Sequence, residues 1–403
     1  MKIAVIGATG YVGQMLVPLL EQSRHKILVC GRNIEKLKQI FPINDVTTYT
    51  ELPQSLVGVD FVVHLAVLNN NEVNSDEDVN RVNIELALDT AQIAKRAAVK
   101  KFVFVSSVQA IQHDNNSSYA SSKRVAAKKL EDITGMDITV VYLPLVFGNN
   151  WSQTLNFLNQ MRPPLARIFF RPLAAMKPTV NIAKLANYLN ATNEKAIHPV
   201  ATEIILVEDM EQNNYYRVFR KLVDIGFSFV IIFGFGWLLL VLWIMIKFDS
   251  PGPGLFAQSR VGRNGREFTC YKLRTMKADT AQRGTHELSV AAITHIGTFL
   301  RKYKIDELPQ VINILKGEMT LIGPRPCLPT QTELISERKK LNVLDCLPGI
   351  TGFSQVQNID MSNPYLLART DARYICLKSI LLDIKIILAT FRGRGFGDRV
   401  SGH

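Results

Sequence analysis

The chain has 403 residues, a net charge of +12 and 47% hydrophobic residues, which is too long for one ordinary domain, so two or three are expected. The charge is uneven: residues 1–211 hold 21 basic against 20 acidic side chains, and residues 212–403 hold 26 against 15. The basic half opens on an apolar run and carries no nucleic-acid motif, which argues against nucleic acid and for anionic headgroups and phosphorylated substrates. Five scattered cysteines (Cys30, Cys270, Cys327, Cys346, Cys376) form no CxxC pair and no metal-ligand spacing, as expected in a reducing compartment. Met1-Lys2 leads straight into a strand pattern instead of a signal peptide, so the N-terminal half is expected in the cytoplasm.

Lys2–Ile6 is a short apolar run followed by Gly7-Ala8-Thr9-Gly10-Tyr11-Val12-Gly13 and the helical pattern Gln14–Gln22. A strand, a glycine-rich turn and a helix open a dinucleotide-binding fold, in which the glycines admit a pyrophosphate to the helix N-terminus. The next strand pattern, Lys26–Cys30, ends in Gly31-Arg32-Asn33. An acidic residue there would bind a ribose 2′-hydroxyl, whereas Arg32 suits a 2′-phosphate, so NADP is favoured over NAD. Val59–Leu65 (strand), Val82–Ala98 (helix) and Lys101–Ser106 (strand) continue an alternation that predicts a doubly wound parallel sheet. Tyr119 and Lys123, four residues apart, share one helix face. An ammonium beside a phenol favours the phenolate, so Tyr119 is a candidate acid/base for a carbinol–ketone interconversion, with a serine after the preceding strand holding the substrate oxygen.

GATGYVG at 7–13, HLA at 64–66, Asn83, FVFVSS at 102–107, YASSK at 119–123 and LPLVFG at 143–148 resemble the short-chain dehydrogenase/reductase superfamily in its NAD-dependent epimerase/dehydratase branch. The resemblance implies Ser107, Tyr119 and Lys123 as the catalytic set. It implies Gly7, Thr9, Gly10, Tyr11, Gly13, Arg32, Leu65, Ala66 and Lys123 as cofactor contacts, and hydride transfer at a ring carbon of a nucleotide sugar. The region from Trp151 to Glu211, where the sugar pocket is expected, is short and carries no clear motif. That leaves room for a second reading, in which this domain is a non-catalytic, nucleotide-binding regulatory module.

Leu222–Ile246 contains no charge after Asp224 until Lys247, about the 20 apolar residues needed to cross a bilayer core. Arg217, Arg220 and Lys221 precede it and Lys247, Arg260, Arg263 and Arg266 follow; cationic flanks tend to stay cytoplasmic. Phe233-Gly234-Phe235-Gly236 weakens the middle. The expectation is a helix–break–helix hairpin entering and leaving by one face, with a plain single span as the rival.

Beyond the breaker run Asp249–Gly254, Leu255–Val261 and Glu267–Leu273 read as strands around Asn264-Gly265, a strong hairpin signal. Ile293–Tyr303 is an amphipathic helical pattern leading to Asp306-Glu307-Leu308-Pro309. Pro309 favours the first turn of a new helix. Asp306 would then lie just ahead of it, kept ionised by the dipole and able to attack phosphorus. Such an attack needs charge cancelled by Mg²⁺, held by Asp306 and Glu307, and by cations for which Lys272, Arg274 and Arg325 are candidates. Cys376–Phe391 reads as an interfacial helix, with a buried core helix as the alternative.

SPGPGLFAQSRVG, YKLRTM, the block from Ile293 to Pro326, PGITGFSQV and Asp371-Ala372-Arg373-Tyr374 strongly resemble the bacterial sugar transferases, monotopic phosphoglycosyl transferases that move a phosphosugar from a nucleotide sugar to polyprenyl phosphate. The resemblance implies a covalent phosphosugar on Asp306 with release of UMP, assistance from Glu307 with Mg²⁺, and a substrate site lined by Arg325 and Asp371. It also implies a re-entrant membrane hairpin; the family's usual Ser-Pro break is replaced here by glycine. The expected organisation is a Rossmann-type domain (1–211), a re-entrant hairpin (212–248) and a small α+β phosphoglycosyl transferase domain with interfacial helices (249–403). The expected partners are a UDP-sugar, undecaprenyl (polyprenyl) phosphate and inner-leaflet lipid at the cytoplasmic face of a bacterial inner membrane. A homodimer is compatible with the sequence.

Overall fold

The structure, a computed structural model, describes residues 1–68, 75–112, 115–148, 151, 153–191, 199–200, 203–277 and 293–395. Two compact units divide it: 1–174 with 178–208, and 175–177 with 209–403.

The first unit is built on an eight-stranded sheet. Its strands are β1 (Lys2–Ile6), β2 (Lys26–Cys30), β3 (Asp45–Thr47), β4 (Phe61–His64), β5 (Lys101–Ser107), β6 (Asp137–Leu143), β9 (Pro199–Val200) and β10 (Glu203–Ile205). β7 (Leu145–Phe147) and β8 (Thr179–Asn181) form a separate parallel pair. The order is β3-β2-β1-β4-β5-β6-β10-β9, parallel except for β9. The chain therefore reverses its winding between β1 and β4, the place where doubly wound sheets open a crevice for ligands. Val, Ile and Leu run almost unbroken along β1, β2 and β4 because both faces are covered. Two expected boundaries shift. The first helix already begins at Tyr11. The single helix expected over 82–98 is a π turn, Arg81–Glu85, running into Leu86–Arg96; π turns of this kind often mark functional positions.

The second unit begins with the long apolar helix. Helical structure runs from Asn214 to Asp249 and is long and apolar enough to cross a membrane. The break expected at Phe233-Gly234-Phe235-Gly236 is not seen as such: helical structure continues through these residues, and a π turn overlaps their start. Val230–Gly234 is a π turn, and Phe235, at φ −115° and ψ 0°, still donates to Ile231 O. A π turn is a known cause of helix kinks. Both arms pack on the same globular body. Tyr216 and Arg220 bond to the buried Asp383, Arg220 also holds Thr320 and the Ile322 carbonyl, and Asp224 accepts from Thr320 and Leu321 N. On the other arm, Leu242 and Ile246 pack with Leu273 and Leu300.

The hairpin β11 (Leu255–Val261) and β12 (Glu267–Leu273) forms as read, with Asn264 and Gly265 at positive φ. β13 (Thr320–Ile322) pairs in parallel with β14 (Gly349–Thr351). Gly323 and Gly349 are required there: a Cβ on Gly349 would lie 2.1 Å from Gly323 N. The segment 376–391 divides at Lys378-Ser379, between helices Pro364–Leu377 and Ile380–Phe391. The later helix is neither wholly interfacial nor wholly core. Asp383 and Ile386 are buried in it, while Leu388 and Phe391 are exposed.

Asp383 compensates the Arg220 guanidinium (3.0 Å) and also accepts from Tyr216 and Tyr374. Asp383→Asn leaves that cation without its counter-charge and is expected to cost about 3–5 kcal/mol. The check is the chemical denaturation midpoint of the detergent-solubilised chain; an unchanged midpoint would mean the network adds nothing to stability.

Candidate functional site

Two constellations stand out, one in each unit. In the first, the turn after β1 and the segment after β4 meet across the crevice. Gly7 has φ +79°, and a Cβ on it would lie 2.6 Å from the Ala66 backbone. This close approach explains why small residues follow both strands, and Leu65 and Ala66 are buried against the turn. A Cβ on Gly13 would strike the Ala8 carbonyl, so the helix Tyr11–Gln22 starts hard against the turn. Its N-cap is Gly10, with no side-chain cap and no acidic residue in the first turn. The site of Gly10's missing side chain meets only the Gly7 carbonyl oxygen, at 3.3 Å. An uncapped helix start with open space in front of it fits the pyrophosphate of a dinucleotide. Thr9 and Tyr11 flank it, partly exposed, and Arg32 is exposed just after β2.

At the far side, Ser107 ends β5 and caps the short helix Val108–Ile111 by accepting from Gln109 N. Tyr119 and Lys123 lie on the helix Ser118–Glu131. Ser107 lies close enough to Tyr119 to lower its phenol, so these two come together as expected. The lysine behaves differently from the expectation. Its ammonium donates to the Val105 carbonyl at 3.0 Å and sits 4.6 Å from the centre of the Phe104 ring. Burial pushes Lys123 down to about 7. The Tyr119 phenol is raised by burial, which outweighs the lowering by Ser107, so the phenolate is disfavoured here by desolvation. The reason is dielectric: at this depth desolvation acts on both groups. Sequence reasoning missed two supports. Asn83 exchanges hydrogen bonds with the Leu68 backbone and donates to Ser122, tying the π turn to the Tyr119 helix. Arg124 holds the carbonyls of Ala110, Gln112 and Asn115, the segment between Ser107 and Tyr119.

The second constellation centres on Asp306 and Glu307. Lys304 takes a left-handed conformation (φ 54°), and Ile305–Gln310 is a 3₁₀ turn running into Val311–Leu315. The two carboxylates therefore sit inside a short turn that also contains Pro309, not ahead of a new helix. Asn313 pins this element to β12 by accepting from Tyr271 N and donating to the Thr269 carbonyl. Lys272, at the end of β12, reaches Glu307 Oε1 at 2.7 Å, and Arg325 reaches the same oxygen at 2.8 Å. Burial raises Glu307, but the two cations overcome it and hold the carboxyl well below the usual range. Asp306 goes the other way: burial and the Glu307 charge push it up to about 6. Desolvation, not a helix dipole, governs its ionisation.

Two expected contacts lie elsewhere. Arg274 is buried, and its guanidinium takes the carbonyls of Ile246, Ser250 and Pro251, closing the end of the apolar helix. Asp371 pairs with Arg338 at 2.7 Å and accepts from Ser354. Arg338 in turn donates to the Arg325 carbonyl at 2.8 Å, so Asp371 bears on the site through Arg325's backbone. Arg301, missed as a site residue, lowers Asp306 electrostatically and has a buried nitrogen with no partner. Its signal was a cation five residues before Asp306, near the end of the helical pattern Ile293–Tyr303. Among the described residues no group of three or more His, Cys, Asp or Glu could hold a metal. Two carboxylates do suffice for Mg²⁺ when substrate phosphates complete the shell, and Asp306 and Glu307 fit that set.

A carboxyl raised in the folded state is bound to its proton more tightly there than in the unfolded chain. Ionisation then costs stability as pH rises from the ordinary aspartate value of 3.8 through about 6. Asp306→Asn is therefore expected to stabilise the chain by about 1–3 kcal/mol at neutral pH. The gain should disappear below about pH 4, as measured by denaturation in chelator-containing buffer. A gain independent of pH would mean that ionisation is not its source.

Residues 215–395 match the model of the family described as bacterial sugar transferase, and residues 3–169 match that of the NAD dependent epimerase/dehydratase family. The chain is 35% identical over 193 residues to the UDP-N-acetylgalactosamine-undecaprenyl-phosphate N-acetylgalactosaminephosphotransferase of Aeromonas hydrophila, covering 46% of each protein. It is 31% identical over 175 residues to the uncharacterized sugar transferase EpsL of Bacillus subtilis (strain 168), covering 43% of this chain and 86% of that one. A solved UDP-glucuronic acid 4-epimerase from Bacillus cereus, in complex with NAD, is 16% identical with a TM-score of 0.40, covering 51% of this chain and 77% of that one. The chain spans about half the length of the first curated relatives it matches, 46% in the Aeromonas case. By these matches the chain belongs to the bacterial sugar transferase family, and the residues ahead of the transferase unit match the NAD dependent epimerase/dehydratase model.

Proposed function

We propose a bifunctional enzyme at the cytoplasmic face of a bacterial inner membrane. The second unit moves a phosphosugar from a UDP-sugar to undecaprenyl phosphate, and the first unit modifies the UDP-sugar. The observation that carries the reading is the split between two adjacent buried carboxyls. Glu307 is neutralised by Lys272 and Arg325, whereas Asp306 has a raised affinity for its proton while both of those cations reach the Glu307 carboxylate. A carboxylate that is poorly stabilised is the better nucleophile.

In this mechanism Asp306 attacks the sugar-bearing β-phosphorus. The bond from that phosphorus to the bridging oxygen breaks, and UMP leaves with the electron pair. An oxygen of undecaprenyl phosphate then attacks the aspartyl phosphosugar, and the Asp306 carboxylate is released. Lys272, Arg301 and Arg325 supply the positive field for the phosphates. Mg²⁺, when bound by Asp306 and Glu307, supplies further charge neutralisation. Asp371 acts one step removed, through Arg338 and the Arg325 carbonyl.

For the first unit, Gly7, Thr9, Gly10, Tyr11, Gly13, Leu65 and Ala66 hold the dinucleotide, and Arg32 faces its 2′-phosphate, favouring NADP over NAD. When bound, the nicotinamide supplies hydride chemistry at a ring carbon, with C4 of the sugar as the assigned position. Ser107 holds the substrate oxygen and Tyr119 exchanges its proton. Lys123, tuned to about 7 by burial, orients the ribose and can take up or release a proton near neutrality. The re-entrant topology is supported by the packing of both arms of the apolar helix on one body. A perpendicular span would separate those arms by the thickness of the bilayer core, about 30 Å.

Incubation with a UDP-sugar alone is expected to release one UMP per chain and leave a phosphosugar mass on the peptide containing Asp306. Asp306→Asn should lose both; retention of the adduct would remove Asp306 from this role. Tyr119→Phe should slow sugar modification by at least about 10²-fold while UMP release continues. Unchanged modification would leave the first unit as a non-catalytic, nucleotide-binding module, the reading permitted by its short pocket region.

A further inference from the structure

The first unit carries a helix whose outer face has no role in either site. Between Asp137 and Glu194 the chain has no acidic residue, yet it holds Arg162, Arg167, Arg171, Lys177 and Lys184. Most of these flank the helix Pro163–Met176. One face of that helix, Ala166, Phe170 and Ala174, is buried with Trp151 and Leu158. The opposite face is apolar and uncovered: Leu165 is 47% exposed, Ile168 55%, Phe169 51% and Leu173 42%. At 100° per residue these four span an arc of roughly 140°. Arg167 and Arg171, one turn apart, line the edge beside Ile168 and are themselves exposed. Arg162 and Lys177 bracket the helix ends.

A helix with one buried face, one bare apolar face and cations along the boundary is the arrangement that lies flat in a lipid interface. The arginine stems can follow the apolar surface while their guanidinium groups reach phosphate. We propose that the helix Pro163–Met176 is a second membrane contact, which docks the first unit onto an anionic leaflet with Leu165, Ile168, Phe169 and Leu173 sunk among the acyl chains. Charge decides for this occupant: a protein partner would need an acidic rim, whereas an anionic bilayer answers the exposed Arg162, Arg167 and Lys177 at once. The proposal rests on the membrane reading of the apolar helix and adds to it a contact made by the other unit.

The test uses the full chain in phosphatidylcholine vesicles, with and without phosphatidylglycerol. A diazirine side chain is placed at Phe169, at Phe233 in the apolar helix as a reference, and at the exposed Lys36 as a control. Irradiation followed by mass spectrometry identifies what each position meets. Position 169 should give lipid adducts that increase with phosphatidylglycerol, and Lys36 should give none. In Arg167→Gln and Arg171→Gln backgrounds the yield should fall by about five-fold per removed charge. Adducts from 169 to peptides of this chain or of a second copy, or to solvent alone, overturn the proposal. If position 233 labels lipid in that experiment, only this inference fails. If position 233 also fails to label lipid, the membrane reading fails with it.

Discussion

The organisation of the transferase unit depends on keeping one buried carboxylate ionised. Glu307 is almost wholly removed from water, a condition that alone would leave it protonated. Lys272 and Arg325 converge on one of its oxygens, and most of the surrounding structure can be understood as holding those two cations in place. Lys272 is fixed by the β11–β12 hairpin, which Asn313 ties to the Asp306 element. Arg325 is fixed from behind: Arg338 holds its carbonyl, Asp371 holds Arg338, and the close approach of Gly323 to Gly349 sets the loop. Asp306 then inherits the unsatisfied part of the field. It lies beside an ionised neighbour, in a dry site, with the strongest cations already engaged.

The first unit uses burial in another way. Lys123 is enclosed as tightly as any core residue, with a carbonyl and an aromatic ring as neighbours. An ammonium in such surroundings is brought close to neutrality. Ser107, Tyr119 and Lys123 are kept in register by backbone-directed contacts from Asn83 and Arg124, which link three chain segments that do not otherwise adjoin in sequence. The π turn at Arg81–Glu85 is what turns Asn83 inward.

The apolar helix is joined to the carboxylate site through the body on which it packs. Its first arm is anchored by polar groups, Tyr216, Arg220 and Asp224, and its second by Leu242 and Ile246. Arg274 closes its carboxyl end and leaves β12 one residue after Leu273. The strand that delivers Lys272 to Glu307 thus also delivers Arg274 to the end of the apolar helix. The end of that helix and the position of the charge clamp are joined through the end of one strand.

Much of this was legible in the residues alone. The strand–glycine–helix opening, the β11–β12 hairpin, the length of the apolar run and the pairing of Asp306 with Glu307 are local features, and local propensity or a short motif reports them. Even the weak point at Gly234 was visible, although its form as a π turn was not. Tertiary structure alone decided which cations serve the carboxylates. Lys272, Arg274, Arg301, Arg325 and Arg338 are equivalent as charges in a sequence. Only the fold sends Arg274 to a helix end, Arg338 to Asp371, and Lys272 with Arg325 to one oxygen of Glu307. The same holds for proton affinities: adjacent Asp306 and Glu307 shift in opposite directions because ionisation follows the local balance of desolvation and Coulomb energy, which depends on neighbours brought in from distant parts of the chain.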